Sequence, residues 1–251
     1  FDVRVDAARL DELGRLGAAI NHLAARLDGY VTGQRRFLGD VAHELCSPLS
    51  RIQMAFGILE RQADEKQMAH VADVREDIER MSSLVNELLS FSKASLEPSK
   101  VKLQSVSVRE IAENAVNRES VAGANVRLDI ADGLMVQAEP ELLSRALSNL
   151  LRNAIRYAGQ AGPVILSARR DGGDVLLSVA DCGPGVPEAG LARIFDPFYR
   201  LDASRDSATG GVGLGLAIVK TCVESCRGTV TCRNRQPSGL EVTIRLGATD
   251  V

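Results

Sequence analysis

The first 97 residues carry apolar side chains in alternating steps of three and four, which restricts this part of the chain to helices packed along narrow seams. Leu13, Leu16, Ile20, Leu23, Leu27 and Tyr30 form one seam. Leu38, Val41, Leu45, Leu49, Ile52, Phe56 and Leu59 form a second, and Val71, Val74, Ile78, Met81, Val85 and Leu88 a third. The polar stretch from Arg61 to Met68 is long enough to turn one helix back on the next. Two antiparallel helices with one narrow stripe each cannot close a core. Two copies paired into a four-helix bundle can, so the pattern alone predicts a homodimer.

The rhythm slips twice. From Tyr30 it steps by four to Gln34 and by four again to Leu38, and a second double four runs Val41, Leu45, Leu49. Such insertions locally unwind a left-handed supercoil. The second slip brackets His43 and Pro48, a residue that bends helices.

Beyond Leu96-Glu97-Pro98-Ser99-Lys100 the periodicity changes. Strands are predicted over 101–106, 125–130, 134–137, 164–168, 175–180, 229–233 and 240–246. Helices are predicted over 107–121, from Pro140 to about Tyr157 with Glu139 as cap, and over 214–226. Strands and helices mix without a regular βαβ rhythm, so the expected fold is α plus α/β: a helical hairpin followed by an α/β sandwich.

Hydrophobic content of 45% supports packed cores, and a formal charge of −3 gives no reason to expect direct nucleic-acid binding. The five cysteines, Cys46, Cys182, Cys222, Cys226 and Cys232, are odd in number and irregularly spaced, which suits a reducing compartment better than a disulfide framework. Cys222 and Cys226 lie four apart on a helix with no second pair or nearby His, and are expected to be small core residues. No apolar run reaches membrane-spanning length, and no signal peptide is evident. The sequence opens on Phe1 rather than Met, so a preceding segment is expected.

His43 lies off the apolar seam and should face solvent, with Glu44 beside it to orient the imidazole and take its proton. His22 and His70 have no such neighbours. On the helix after Pro140, Asn149, Asn153 and Arg156 share a face at i, i+4 and i+7. Amide oxygens and a guanidinium there suit a Mg²⁺–phosphate cluster. Asp181-Cys182-Gly183-Pro184-Gly185 follows an apolar strand and offers an acceptor-only carboxylate beside flexible backbone. Gly210-Gly211-Val212-Gly213-Leu214-Gly215-Leu216 leads into a helix N-terminus, where amides and dipole favour phosphate, but it lacks the ending of a P-loop.

In this order and spacing the motifs resemble those of sensor histidine kinases. The segment Phe37 to Leu49 resembles the H-box, which makes His43 the phospho-acceptor, Glu44 its proton partner and Ser47 a candidate for positioning a phosphatase water. The family usually has Arg where this chain has Cys46. Asn149 to Tyr157 resembles the N-box. That resemblance implies Asn153 as the Mg²⁺ ligand with Asn149 beside it, Arg156 toward phosphate, Tyr157 near the base, and Arg152 among the ATP-binding residues. The segment with Asp181, Gly183 and Gly185 resembles the G1 box, in which the Asp reads the adenine amino group. Gly211, Val212, Gly213, Leu214, Gly215 and Leu216 resemble the G2 box, with Val212 in place of the commoner Thr. Phe195 to Arg200 resembles the F-box of a mobile ATP lid, placing Arg200 and Leu201 near the nucleotide, although its aromatic pair also suits ordinary packing.

The resemblance implies residues 1–30 as the second helix of a HAMP module, 31–98 as the dimerisation and histidine-phosphotransfer hairpin, and 101–251 as a Bergerat-type ATP-binding domain. It implies ATP and Mg²⁺ as cofactors, a response-regulator receiver domain as partner, and a membrane attachment upstream. The chain is then expected to be the cytoplasmic portion of an inner-membrane protein, with phosphatase activity on the regulator besides kinase activity. Phe198-Tyr199-Arg200 followed by Arg205-Asp206 resembles the Cpx type of envelope-stress sensor. Two other readings remain: an ATPase of the same superfamily that uses ATP for conformational work, and a degenerate kinase acting as a dimeric scaffold.

Overall fold

The computed structural model describes residues 5–7, 11–64, 67–94, 101–119, 125–158, 161–201 and 212–249. The three seams belong to two helices. The first two lie on α1 (Glu12–Glu60), which is continuous through Pro48, and the third lies on α2 (Met68–Ala94). Asp11 starts α1 by accepting the Gly14 N–H at 3.1 Å, an N-cap that satisfies an otherwise unpaired donor. Upstream, the Asn21 amide exchanges two hydrogen bonds with the backbone of Val5, at 2.8 and 2.9 Å.

The helices form an antiparallel hairpin whose buried residues are Ala42, Leu49, Ile78 and Val85, with Cys46, Phe56, Leu88 and Leu89 packed around them. At the turn end Arg75 pairs with Glu60 through two hydrogen bonds and holds its carboxyl below the usual range. Gly39 lies so close to Ser92 that a side chain there would collide with the serine. Much of each seam stays exposed, including Leu16, Ile20, Leu45, Ile52 and Met81. Among the described residues, no helix is long and apolar enough to cross a membrane.

The second module has β1 (Gln104–Ser107), α3 (Val108–Glu119), β2 (Val126–Ile130), β3 (Met135–Ala138), α4 (Pro140–Ala158), β4 (Val164–Asp171), β5 (Asp174–Ala180), the short α5 (Glu188–Leu191), α6 (Gly215–Ser225), β6 (Thr229–Asn234) and β7 (Leu240–Thr249). The seven strands form one mixed sheet in the order β1-β3-β7-β5-β4-β2, with β6 also on β7. β2 and β4 are parallel, whereas every other pairing is antiparallel. Alternation along β5 sends Val175, Leu177 and Val179 into the core, where they meet Leu143, Leu147 and Leu151 of α4 and Ile218 and Val219 of α6. Glu139 caps α4 as its sequence predicts, accepting the Leu142 N–H at 2.6 Å.

The predicted elements stand with shifted ends. The first strand starts at Gln104 rather than residue 101, and α3 follows it at once, capped by Ser107, whose Oγ accepts the Glu110 N–H at 3.3 Å. β7 runs on to Thr249 because its last residues pair with β3. Cys222 and Cys226 are buried core residues, and burial pushes the Cys222 thiol up to about 12. α2 also joins the two modules: Phe91, 3% exposed, lies within the same apolar cluster as the sheet and α6.

Candidate functional site

Two sets of chemistry-bearing residues lie on different modules. On α1, Ala42 and Leu49 point inward, which turns His43, Glu44 and Ser47 to solvent. His43, Ser47 and Arg51 are spaced i, i+4 and i+8 and share one helix face. Arg51 donates from Nη1 to the Ser47 hydroxyl at 2.7 Å, bringing a guanidinium to this row. Cys46 sits partly buried against the hairpin core, so its side chain belongs to the packing rather than to the exposed row. Arg51 went unnoticed in the sequence, although its spacing from Ser47 was readable.

The second set lines a cleft of about 1460 Å³ against the central strands β5 and β7, larger than the roughly 300–1,000 Å³ of ordinary ligand pockets. Its wall is α4. Asn149 is 6% exposed and donates from Nδ2 to the Arg145 carbonyl at 2.9 Å, one turn back. Asn149 and Asn153 both face the first residue of α6. A Cβ on Gly215 would lie 3.3 Å from the Asn153 amide atoms and 3.7 Å from Asn149 Oδ1, so the absence of a side chain lets the α6 N-terminus reach them. Two amides therefore meet a helix N-terminus, where unpaired N–H groups and the helix dipole favour an anion. The same amides offer hard oxygen donors of the kind Mg²⁺ takes.

Asp181 also lines the cleft, 8% exposed. Its Oδ1 accepts the Gly183 N–H at 2.9 Å and the Leu240 N–H at 3.1 Å. The apolar residues Leu150, Val179, Val186, Ile194, Leu216 and Val242 also line the space, a surface suited to a flat heterocycle. None of the apolar members except Leu216 stood out in the sequence, because periodicity marks apolar positions without saying which core edge they reach.

Of the other predicted site residues, Arg152, Arg156, Tyr157, Gly185, Arg200, Leu201 and Gly213 also line the cleft. The Arg152 guanidinium is bidentate to Glu119 on α3, at 2.9 and 3.1 Å, which ties it to the rim. Arg156 lies 5.9 Å from the Tyr157 ring centroid. Gly183 and Val212 are not among the lining residues, and the Leu214 side chain is fully buried in the core. Gly211, the 97–100 linker and Arg205-Asp206 fall outside the described residues.

The aromatic segment is built into this wall. Phe198 adopts φ 64 and donates its N–H to the Gly213 carbonyl at 3.0 Å, while Gly213 itself has φ 79. A Cβ on Gly213 would meet the Tyr199 carbonyl at 2.7 Å, so the glycine-rich turn and the aromatic segment require each other's backbone. Tyr199 stacks with Arg193 at 4.4 Å, and Phe198 is 49% exposed.

One carboxylate in the cleft comes from the hairpin. Glu87 of α2 lines it, and its Oε2 accepts the Val212 N–H at 3.4 Å. Burial raises its pKa against the pull of that N–H and of Arg156, Arg152 and Arg200. The heptad pattern treats this position as an outer face of α2, so it carried no signal in the sequence.

Both stretches of the chain match known protein families. Residues 33–97 match the His Kinase A (phospho-acceptor) domain. Residues 138–250 match the histidine kinase-, DNA gyrase B- and HSP90-like ATPases. The chain is 33% identical to the sensor histidine kinase CpxA of Escherichia coli strain K12 over 237 residues, 92% of this chain and 50% of that protein. It is 30% identical to the signal transduction histidine-protein kinase BaeS of the same strain over 250 residues, 98% of this chain and 54% of that protein. The chain thus spans about half the length of these relatives. Among solved structures, full-length ShkA in complex with AMPPNP superposes with a TM-score of 0.67 at 29% identity, covering 86% of this chain and 46% of that one. The Acinetobacter baumannii histidine kinase AdeS does so with a TM-score of 0.56 at 25% identity, over 83% of this chain and 98% of that one.

Proposed function

This chain belongs to the two-component sensor histidine kinases, in a Cpx-like subgroup, and on that premise we propose that it moves the γ-phosphoryl group of ATP onto His43. The phosphoryl group then passes to an aspartate on the receiver domain of a separate response regulator. The observation that carries the reading is the pairing of two sites in one chain: an outward-facing His43 on a helical hairpin, and a cleft lined by Asp181, Asn149 and Asn153, with the α6 N-terminus against the two amides.

In the cleft, Asp181 accepts from the adenine amine and Tyr157 borders the base. Arg156, Arg200 and the turn through Gly213 and Gly215 face the phosphates, with Arg152, Leu201 and Leu216 completing the wall. The Asn153 amide oxygen, with that of Asn149 beside it, would hold Mg²⁺, which supplies charge neutralisation at the phosphates when bound. Gly183, Val212 and Leu214 contribute through backbone and packing rather than as lining side chains. One imidazole nitrogen of His43 attacks the γ-phosphorus in line. A P–N bond forms, the bond from the γ-phosphorus to the β,γ-bridging oxygen breaks, ADP leaves, and Glu44 takes the imidazole proton.

None of the H-box residues lines the cleft. Transfer therefore requires the ATPase module to leave its contacts on α2 and approach His43. Ser47, held by Arg51, would position the water of a reverse, phosphatase step. The domain limits at 31–98 and 101–251, a HAMP segment over 1–30, the homodimer, and a membrane attachment upstream are parts of the same proposal.

Asn153→Ala separates this reading from the scaffold alternative. Mg²⁺-dependent ATP binding and phosphorylation should both fall by at least about tenfold. Tight ATP binding by the wild-type chain with no phosphorylation in either protein would instead favour a scaffold.

A further inference from the structure

Resting on the assignment of Asp181 to the adenine amine, we infer that Arg235 and Asn234 are positioning residues that set base selection by clamping the loop from Asp181 to Val186. The loop contains two glycines and a proline, and Gly185 adopts φ 74, so its own sequence does not fix it. It is held instead from the turn between β6 and β7, which is some fifty residues away in sequence.

The grip is at both ends of the loop. At the first, Arg235 Nη1 donates to the Asp181 carbonyl at 2.7 Å, the Asp181 N–H donates to the Leu240 carbonyl at 2.9 Å, and Leu240 returns its N–H to the Asp181 carboxylate. At the second, the Asn234 amide accepts the Val186 N–H at 2.9 Å and donates to the Val186 carbonyl at 2.7 Å. The Arg235 N–H closes the turn on the Gly239 carbonyl at 2.9 Å. The fit is close: a Cβ on Gly185 would lie 2.8 Å from Asn234 Oδ1, and one on Gly239 would strike the Asp181 carbonyl.

This placement bears on selectivity because an ionised carboxylate only accepts hydrogen bonds. It gains from an exocyclic amine and repels a carbonyl at the same position, and that contrast survives only while the carboxylate is held within hydrogen-bonding geometry. Two backbone N–H groups occupy Oδ1, which leaves Oδ2 to meet the base. Releasing the loop should therefore cost adenine recognition more than phosphate recognition.

The test is competitive binding of ATP and GTP to the 251-residue chain. Arg235→Met should lower the ATP-to-GTP preference by roughly tenfold through weaker ATP binding, Asn234→Ala by less, and Arg235→Lys should restore most of it. Thermal melting of each variant checks the fold. An unchanged preference in Arg235→Met alongside a collapsed one in Asp181→Asn overturns the clamp alone, as does equal weakening of both nucleotides. An unchanged preference in Asp181→Asn overturns the adenine assignment and the clamp with it.

Independently, and resting on the phosphate end of the same reading, the structure assigns Glu87 as an internal occupant of the cleft that ATP must displace. It is the one hairpin residue among the described cleft-lining residues. It accepts from the Val212 N–H of the glycine-rich turn and lies in the field of Arg156, Arg152 and Arg200, the donors a triphosphate would use. A phosphate that takes the Val212 N–H must displace the Glu87 carboxylate from it, so α2 docking and nucleotide binding oppose each other.

Glu87→Ala should tighten ATP binding by roughly three- to tenfold, with Glu87→Gln in the same direction and Glu76→Ala, about three turns away along α2 and outside the cleft, unchanged. Equal ATP affinity in wild type and Glu87→Ala overturns the occupant. No ATP binding by either protein overturns the nucleotide reading and the occupant together.

Discussion

In the ATPase module, α3, α4 and α6 lie on a seven-stranded sheet and share one apolar cluster in which Leu143, Leu147, Leu151, Leu166 and Ile218 are almost wholly buried. In the hairpin, Ala42, Leu49, Ile78 and Val85 are buried, while Val41, Leu45, Ile52, Val74 and Met81 remain exposed. Both modules have regular apolar patterning, so hydrophobicity does not separate them. Layering does: helices on a sheet close a core within one chain, whereas two helices with narrow stripes leave half of each stripe uncovered. The exposed face is thus the surface on which a second copy is proposed to pack.

The sharpest way to break this contrast is in the closed core. Leu147→Ala should destabilise the ATPase module by about 2–5 kcal/mol, read as a lower melting temperature and lost ATP binding. A change of under about 0.5 kcal/mol would mean that the module is not closed by α4. The matching change on the hairpin should act on assembly instead. Leu45→Glu with Ile52→Glu should raise the dimer dissociation constant by about a hundredfold in sedimentation, while ATP binding persists. Loss of ATP binding in that variant would contradict the independence of the two cores.

Thiol reactivity sharpens the same comparison. Burial holds the Cys222 thiol near 12, so at pH 8 almost none of it is thiolate and alkylation should await unfolding. Cys46 on the hairpin, partly exposed like Cys182 and Cys232, should label well before Cys222, as mass spectrometry of native protein would show. The smallest effect is expected at Arg51. Arg51→Met should change stability by no more than about 0.5 kcal/mol, because the pair with Ser47 is exposed, yet it should reduce the proposed phosphatase activity.

How far the sequence reached follows from the range of the interactions involved. The seams, the turn after Glu60, the Glu139 cap and the amide face of α4 all rest on spacings of a few residues, and each lies where its spacing puts it. The H-box and glycine-rich segments were legible for the same reason. Features made by distant pairs were not. Asn234 and Arg235 reach Val186 and Asp181 across a hairpin turn, Glu87 enters the cleft from the other module, and Arg152 is drawn to Glu119 on α3. Cys46 looked like a defect in the motif, but its place against the hairpin core and the guanidinium of Arg51 beside Ser47 give that departure a physical setting.

The most direct test of the central claim is incubation of the chain with γ-labelled ATP and Mg²⁺, followed by acid treatment and peptide mapping. The account predicts acid-labile label on the peptide containing His43, absent from His43→Gln although that variant still binds ATP. Label of undiminished yield in His43→Gln, or acid-stable label on another residue, would contradict it.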